Sequence, residues 1–315
     1  MLDIVALHDP TTGATAKVMP ARGFNCFSYQ PVFLGEPVEV LWTAPDFVTG
    51  QSKASHSGIP VLFPYPGRLR GASFRYDGRS FALEGNDGIG NAIHGFVIDR
   101  PWRIVDQTGT RVVGEFQASV DEPALLAHWP SDFRIAVAYE LVGHALTSDV
   151  RIENTGQGPL PFGFGTHPYF RVPLGRTGSR DRCVVTVPAD HYWELAHMMP
   201  TGRKLPATGA HGLASGMQFA DTKLDDVFTD LTFANGRAVT TITDPDNHRT
   251  LELTFDEQFR ECVVYNPPHR EAICIEPYTC VPDAYQLAEA GVDTGLRVLS
   301  PGESFSSRID IRLSG

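Results

Sequence analysis

The chain has 315 residues, 42% of them hydrophobic, enough to bury a large core without disulfide or metal staples. Its 37 acidic against 26 basic residues give a net charge of -11, which repels nucleic acid and anionic lipid over most of the surface and leaves a small neutral molecule as the expected partner. Cys26, Cys183, Cys262, Cys274 and Cys280 form no CxxC pair, and an odd count in a long chain points to reduced thiols and a cytoplasmic location. The opening MLDIVALHDP lacks the basic and apolar regions of a secretory signal, and no later stretch approaches the roughly 20 apolar residues of a membrane span.

In chain order, short apolar runs alternate with Gly, Pro and Asp over the first 60 positions, and Gly23 to Phe27 and Val38 to Trp42 read as short strands. From Ile59 to Leu83, Pro60, Pro64 and Pro66 exclude helix and central strand, so Arg68 and Arg70 are expected on a shaped loop. Asp77-Gly78, between Phe74-Arg75-Tyr76 and Phe81-Ala82-Leu83, signals a hairpin. Asn86 to Trp102 is loop-rich, carries His94, and has no dinucleotide-binding glycine fingerprint.

Strand-like runs follow at Arg103 to Val105, Val112 to Ala118, Phe133 to Val142, Leu146 to Ile152, Cys183 to Val187, Ala238 to Ile242, Thr250 to Phe255, Glu261 to Tyr265, Ala272 to Ile275 and Phe305 to Leu313. Glu122 to Ala127 allows one or two helical turns, and Ala284 to Ala290 is a short helix candidate. With no linker or repeat, residues 1–315 are expected to form one mostly β domain.

Titratable residues in unusual settings are few. His94 precedes a glycine and His167 a proline; Asp225 stands between Leu224 and Val227-Phe228; Glu276 follows the apolar run AICI and precedes Pro277. Each is expected where a strand meets a loop, a favoured place for chemistry. A glutamate beside four apolar residues is costly to bury unless hydrogen-bonded or functional, which makes Glu276 the sharpest candidate. The same residues also admit structural roles: His167 or His94 bonded within a core or turn, Arg68 in a surface ion pair, Asp225 in an Asx turn. No HxH, HxxxH or HExxH gathers metal ligands on one element, so a metal is not expected. Together, a buried carboxylate and an imidazole suit general base and acid work on a polyol, with Arg68 and Asp225 on hydroxyls and Phe162, Tyr169, Phe170, Trp102 and Tyr278 as candidate covers for a sugar ring.

Five separated motifs carry a resemblance: GRLRGASFRYDG from Gly67, HGF from His94 followed by Trp102, THPYF from Thr166, LDDVF from Leu224 and CIEPYT from Cys274. In this order they resemble the aldose 1-epimerase (mutarotase) family over nearly the whole chain. The resemblance implies a large antiparallel β-sandwich with an open sugar cleft on one sheet and no cofactor. It implies Glu276 as general base at the anomeric hydroxyl, His167 as general acid at the ring oxygen, and His94 polarising near that oxygen. Arg68, Asp225, Tyr169, Tyr278 and Phe96 would bind a glucose- or galactose-like aldose, in a monomer or homodimer.

Two departures stand out: Phe96 replaces the usual second glycine after the HG pair, and Pro66-Gly67 replaces Ala-Asn before Arg68. The HGF pattern looks like broader bacterial branches that include hexose 6-phosphate enzymes, and Arg70, Arg75 and Arg100 are candidates for a local anion site. Pro168 after His167 and the acidic net charge favour a free hexose. The alternatives are a hexose 6-phosphate mutarotase, a non-catalytic carbohydrate-binding protein on the same scaffold, and a glycosidase, whose two carboxylates would leave the histidines unexplained.

Overall fold

A computed structural model describes residues 3–315. Two antiparallel sheets dominate it and pack as a β-sandwich. The nine-stranded sheet runs in space through Arg103–Gln107, Arg111–Gln117, Phe133–Val142, Ala145–Asn154, Ser304–Ser314, Arg249–Asp256, Arg237–Asp244, Val184–Thr186 and Met217–Gln218. The second sheet runs Met199–Pro206, Ala189–Ala196, Asp225–Leu231, Glu261–Tyr265, Ala272–Tyr278, Gly165–Thr166 and Val61–Leu62, with Tyr169–Arg171 also pairing onto Ala272–Tyr278. A three-stranded sheet of Val5–His8, Thr15–Met19 and Asn25–Gln30 lies alongside.

Period-two alternation explains the sandwich. In Phe133–Val142 the inward Phe133, Ile135, Val137 and Tyr139 join one buried cluster with Phe228, Val264, Ile273 and Ile275 of the second sheet. Burial of these side chains, each worth about 1.5–3 kcal/mol, is the chief term holding the two sheets together.

The Asp77-Gly78 hairpin forms as expected: Ser73–Tyr76 pairs with Arg79–Ala82, and both turn residues have positive φ, the geometry that matches strand twist. The short helix spans Ala284–Glu289, and the earlier helical segment is one α turn, Ala118–Asp121, followed by a 3-10 stretch, Pro123–Ala127. Val38 to Trp42 is not a strand. The Glu39 carboxylate accepts the backbone N–H groups of Tyr29 (3.0 Å) and Leu41 (3.1 Å), which leaves the segment with scattered backbone bonds and one isolated bridge, Leu41 to Phe170, in place of a regular ladder. Arg68 is less loop-like than expected, since Arg68–Leu69 forms a two-residue ladder with Ala92–Ile93. The Ala189–Ala196 and Met199–Pro206 hairpin escaped the sequence reading because its charged residues blur the alternation. All five cysteines are free and buried, and no described helix is long and apolar enough to cross a membrane.

Candidate active site

The strand Ala272–Tyr278 is paired on both sides, yet one of its two ladders is interrupted. Gly165 sits opposite Tyr278 and Tyr169 opposite Cys274, and the stretch between them has the same length on each strand. The register therefore sets His167 opposite Glu276, although neither Pro168 nor Pro277 can donate a backbone hydrogen bond there. The His167 N–H turns instead to the Pro60 carbonyl, at 3.0 Å. Across the other ladder Glu276 faces Val263, which faces Val227; Cys274 faces Tyr265, which faces Asp225. Residues two apart share a sheet face. Two strand registers thus lay Asp225, Tyr265, Val227, Val263, Glu276 and His167 on one face, where they form the floor of a cavity of about 490 Å³.

Loops raise the walls. Asp87 organises one of them: its Oδ1 accepts the N–H groups of Ile89 and Asn91, and its Oδ2 accepts the Asn91 amide and the Arg68 Nε at 3.3 Å. These bonds hold the Asp87 carboxyl down to about 2 against the opposing effect of burial, so it stays ionised and fixes Arg68 at the cavity edge. His94 follows on the same wall in a left-handed conformation, φ 68°, uncommon for a residue with a side chain. Its N–H donates to Gly67, and the next residue, Gly95, lies so close to Phe63 that an added Cβ would stand 2.2 Å from a carbonyl oxygen. Only glycine fits at 95, and that close fit holds the strained His94 in place.

The centre of the floor is a coupled acid and base. His167 Nε2 is 3.3 Å from Glu276 Oε1, and the Tyr278 hydroxyl donates to Glu276 Oε2 at 2.6 Å. His167 stacks on Tyr169 with ring centroids 4.8 Å apart and planes at 2°, while His94 meets it edge-on at 5.4 Å. Burial pushes the Glu276 carboxyl well above its usual range, only partly offset by Tyr278, and burial, reinforced by His94, pushes the His167 imidazole well below its own. Both shifts favour the uncharged forms. A carboxylic acid beside a neutral imidazole carries the same single proton as a carboxylate beside an imidazolium, so this pair can pass one proton internally without exchanging it with solvent. Burial likewise depresses His94, to about 3, and its Nδ1 has no protein partner. Asp225 keeps part of its side chain open to solvent; partial withdrawal from water at the cavity raises its carboxyl, and Arg68 only partly offsets the rise.

Of the residues expected to make a site, Glu276, His167, His94, Arg68, Asp225, Tyr169 and Tyr278 line this one cavity. Tyr278 also donates its hydroxyl to Glu276. Phe96 is not brought there: its ring packs on Tyr65 and Trp129 in the core, beyond the wall that His94 forms. Trp102, Phe162 and Phe170 are core residues as well. Among the candidates for an anion site, Arg70 pairs with Asp283, Arg100 pairs with Glu122, and Arg75 lies exposed on the hairpin; none lines the cavity. The sequence reading missed Asp87, Tyr265, Arg22, Lys53 and His56. Asp87 had a visible signal, the turn-forming NDGIGN, whereas the last three lie in loops whose approach to the cavity depends on long-range packing.

The comparisons agree with this architecture. The profile of the family described as aldose 1-epimerase matches residues 32–312. An Escherichia coli K12 protein, the uncharacterized YihR, is 28% identical over 238 residues, covering 74% of this chain and 72% of its own. A second from the same organism, the uncharacterized YphB, is 24% identical over 294 residues, covering 89% and 93%. Among solved structures, a galactose mutarotase-like protein from Clostridium acetobutylicum superposes with a TM-score of 0.85 at 22% identity, covering 100% of this chain and 99% of that one. A putative aldose 1-epimerase from E. coli K12 does so with a TM-score of 0.78 at 19% identity, covering 99% of each chain. At these identities the structures establish the shared fold, and the profile, which spans most of the chain, establishes descent: this protein belongs to the aldose 1-epimerase family.

Proposed function

We propose that this protein interconverts the α and β anomers of a hexose by opening and reclosing the sugar ring. The observation that carries the reading is the Glu276 and His167 pair at 3.3 Å on the cavity floor, poised to move one proton each way. Glu276, as carboxylate, takes the proton from the anomeric hydroxyl; the C1–O5 bond breaks as C1 becomes an aldehyde, and the protonated His167 gives its proton to O5. Rotation about C1–C2 presents the other face of the aldehyde. Closure then runs the transfers backwards, with His167 as base and Glu276 as acid, so atoms and protons balance with no external reactant.

The surrounding groups support these roles. Tyr278 fixes one Glu276 oxygen, leaving the other for the reacting proton, and Tyr169 holds the imidazole plane. His94 lines the cavity and burial keeps its imidazole neutral, which suits it to hydrogen-bond near the ring oxygen. Arg68 and Asp225 are placed for hydroxyl groups, and aliphatic Val227 and Val263 give the floor an apolar strip for the sugar face. The main buried cluster draws on residues from Val5 to Leu313, which supports one domain, and five free buried thiols fit a reducing cytoplasm.

Saturation-transfer NMR between the two anomeric protons tests the proposal directly. Wild type should accelerate exchange of at least one hexose, and Glu276→Gln and His167→Asn should each lose that acceleration while keeping a native circular dichroism spectrum. Near wild-type exchange by either variant would sink the assigned role.

A further inference from the structure

Sequence motifs for metal sites place their ligands on one element, but strand register can gather ligands from two. Cys274 and Glu276 are two residues apart on Ala272–Tyr278 and share a face of the sheet, and His167 stands opposite Glu276 on the neighbouring segment. One donor atom from each of the three, a thiol sulfur, an imidazole nitrogen and a carboxylate oxygen, lies within 4.8 Å of the other two. All three residues are buried, and Cys274 is a free thiol. Among the described residues, no other three histidine, cysteine or acidic side chains converge in this way.

The distances suit a tetrahedral ion. With metal–ligand bonds of about 2.0–2.3 Å, tetrahedral zinc sets its donor atoms about 3.3–3.7 Å apart. His167 Nε2 and Glu276 Oε1 are already separated by 3.3 Å, one edge of such a tetrahedron. The thiol has to move in by about 1 Å at most, a small side-chain adjustment. Tyr278 holds Glu276 Oε2, as outer-shell partners hold metal-ligating carboxylates, and leaves Oε1 for the ion. Charge balances too, since a thiolate and a carboxylate together neutralise a dication and a neutral imidazole adds nothing. Sulfur and nitrogen donors favour zinc or cadmium over magnesium and calcium, which prefer oxygen alone. Access is from the cavity, which His167 and Glu276 line; Cys274 does not border it and packs with Tyr169, Tyr265 and Trp42.

We propose that His167, Cys274 and Glu276 form a binding site for a soft divalent cation, zinc or cadmium, with water as the fourth ligand. As the ion binds, the thiol and the Glu276–His167 pair each release one proton to solvent, and sulfur, oxygen and nitrogen lone pairs go to the metal with no change of oxidation state. The site stands apart from the ring-opening reading. Its consequence rests on that reading: an ion on His167 Nε2 and Glu276 Oε1 occupies the two atoms that exchange the proton, so it silences turnover reversibly.

The test titrates Zn²⁺, Cd²⁺ and Mg²⁺ separately into the full chain after dialysis against a chelator. Calorimetry reads stoichiometry and affinity, ultraviolet absorption reads the thiolate-to-cadmium charge-transfer band, and anomer exchange of a hexose reads turnover. Zn²⁺ or Cd²⁺ should bind once per chain, Cd²⁺ should raise the band, exchange should fall in step with occupancy and return on chelation, and Mg²⁺ should do none of this. Cys274→Ser should lose the band and roughly tenfold or more in affinity, whereas Cys26→Ser, in the three-stranded sheet, should keep both. His167→Asn, which removes a ligand from the other segment, should lose as much affinity and decides the matter if the buried Cys274 variant does not fold. No band in wild type, a band that survives in Cys274→Ser, wild-type affinity in His167→Asn, or equal binding of Mg²⁺ overturns the site. A band with the expected losses but unchanged exchange leaves the site standing and overturns the proton-transfer roles of His167 and Glu276. Exchange of no hexose by the metal-free chain overturns the ring-opening reading alone.

Discussion

Ser304–Ser314, at the middle of the nine-stranded sheet, buries Phe305, Ser307, Ile309, Ile311 and Leu313 and turns the intervening side chains toward water. Ala272–Tyr278, inside the second sheet, is buried at every position. Both are paired on two sides and both contribute aliphatics to the same core, so pairing and core packing do not separate them. They differ in what covers the second face. Solvent covers it in the first strand; in the second, loops and neighbouring strands enclose a cavity, and Glu276 and Tyr278 point into a confined space rather than into bulk water. A sheet face withdrawn from solvent but not filled by side chains is where a carboxyl group can be kept protonated near neutral pH and still be reached by a small molecule.

Substitutions along the two strands can break or sharpen this contrast. Glu276→Gln keeps the shape of the side chain and removes its proton chemistry, so exchange should fall by about 10²–10⁴-fold with little loss of thermal stability; a large drop in Tm would assign Glu276 a structural role instead. Its neighbour Ile275 faces the core, and Ile275→Ala should cost about 2–5 kcal/mol in urea denaturation while the remaining folded protein keeps its activity. A loss of activity at full stability would show that the two faces are not separable.

A third substitution concerns a buried acid outside the cavity. Glu261 accepts a hydrogen bond from Trp193 Nε1 at 2.9 Å, and burial raises its carboxyl to about 7 from an ordinary 4.5. Between those values the folded chain binds the proton that the unfolded chain releases, so this contribution to stability is complete below the unfolded value and is lost as pH rises through 7. The loss amounts to about 3 kcal/mol. Glu261→Gln should remove that much of the fall in stability between pH 4.5 and 8, measured against wild type by denaturant titration; parallel curves would contradict it. The smallest effect belongs to the solvent face of Ser304–Ser314. Arg308 pairs with Asp149 at 2.7 Å on an exposed surface, and Arg308→Ala should change stability by no more than about 0.5 kcal/mol.

The sequence displayed the first strand more completely than the second. FSSRIDIRL alternates openly, whereas AICIEPY reads as a core run broken by a charge and a proline, and the strand continues through both because its other ladder, to Glu261–Tyr265, is unbroken. Glu276 was legible as a lone charge in an apolar run, and His167 through its glycine- and proline-rich setting. That they face each other was not, since register between segments so distant in sequence is settled by the whole sheet. Phe96 shows the opposite failure: its place next to His94-Gly95 suggested the cavity, but the positive φ of both preceding residues turns the chain and sends the ring into the core. Arg22, Lys53 and His56 carry no local mark at all, because only the folded chain brings their loops to the wall.

The uninterrupted register on either side of the His167 and Pro168 gap has a practical use. Successive side chains point to opposite faces, so a one-residue slip of either strand would turn His167 or Glu276 away from the cavity and leave the other without its proton partner. Turnover, if the ring-opening reading holds, is then a sensitive assay of strand alignment: a preparation with native spectra but a shifted pairing would be silent. Recovery of activity during refolding would time the moment when Gly165–Thr166 and Tyr169–Arg171 dock in frame against Ala272–Tyr278.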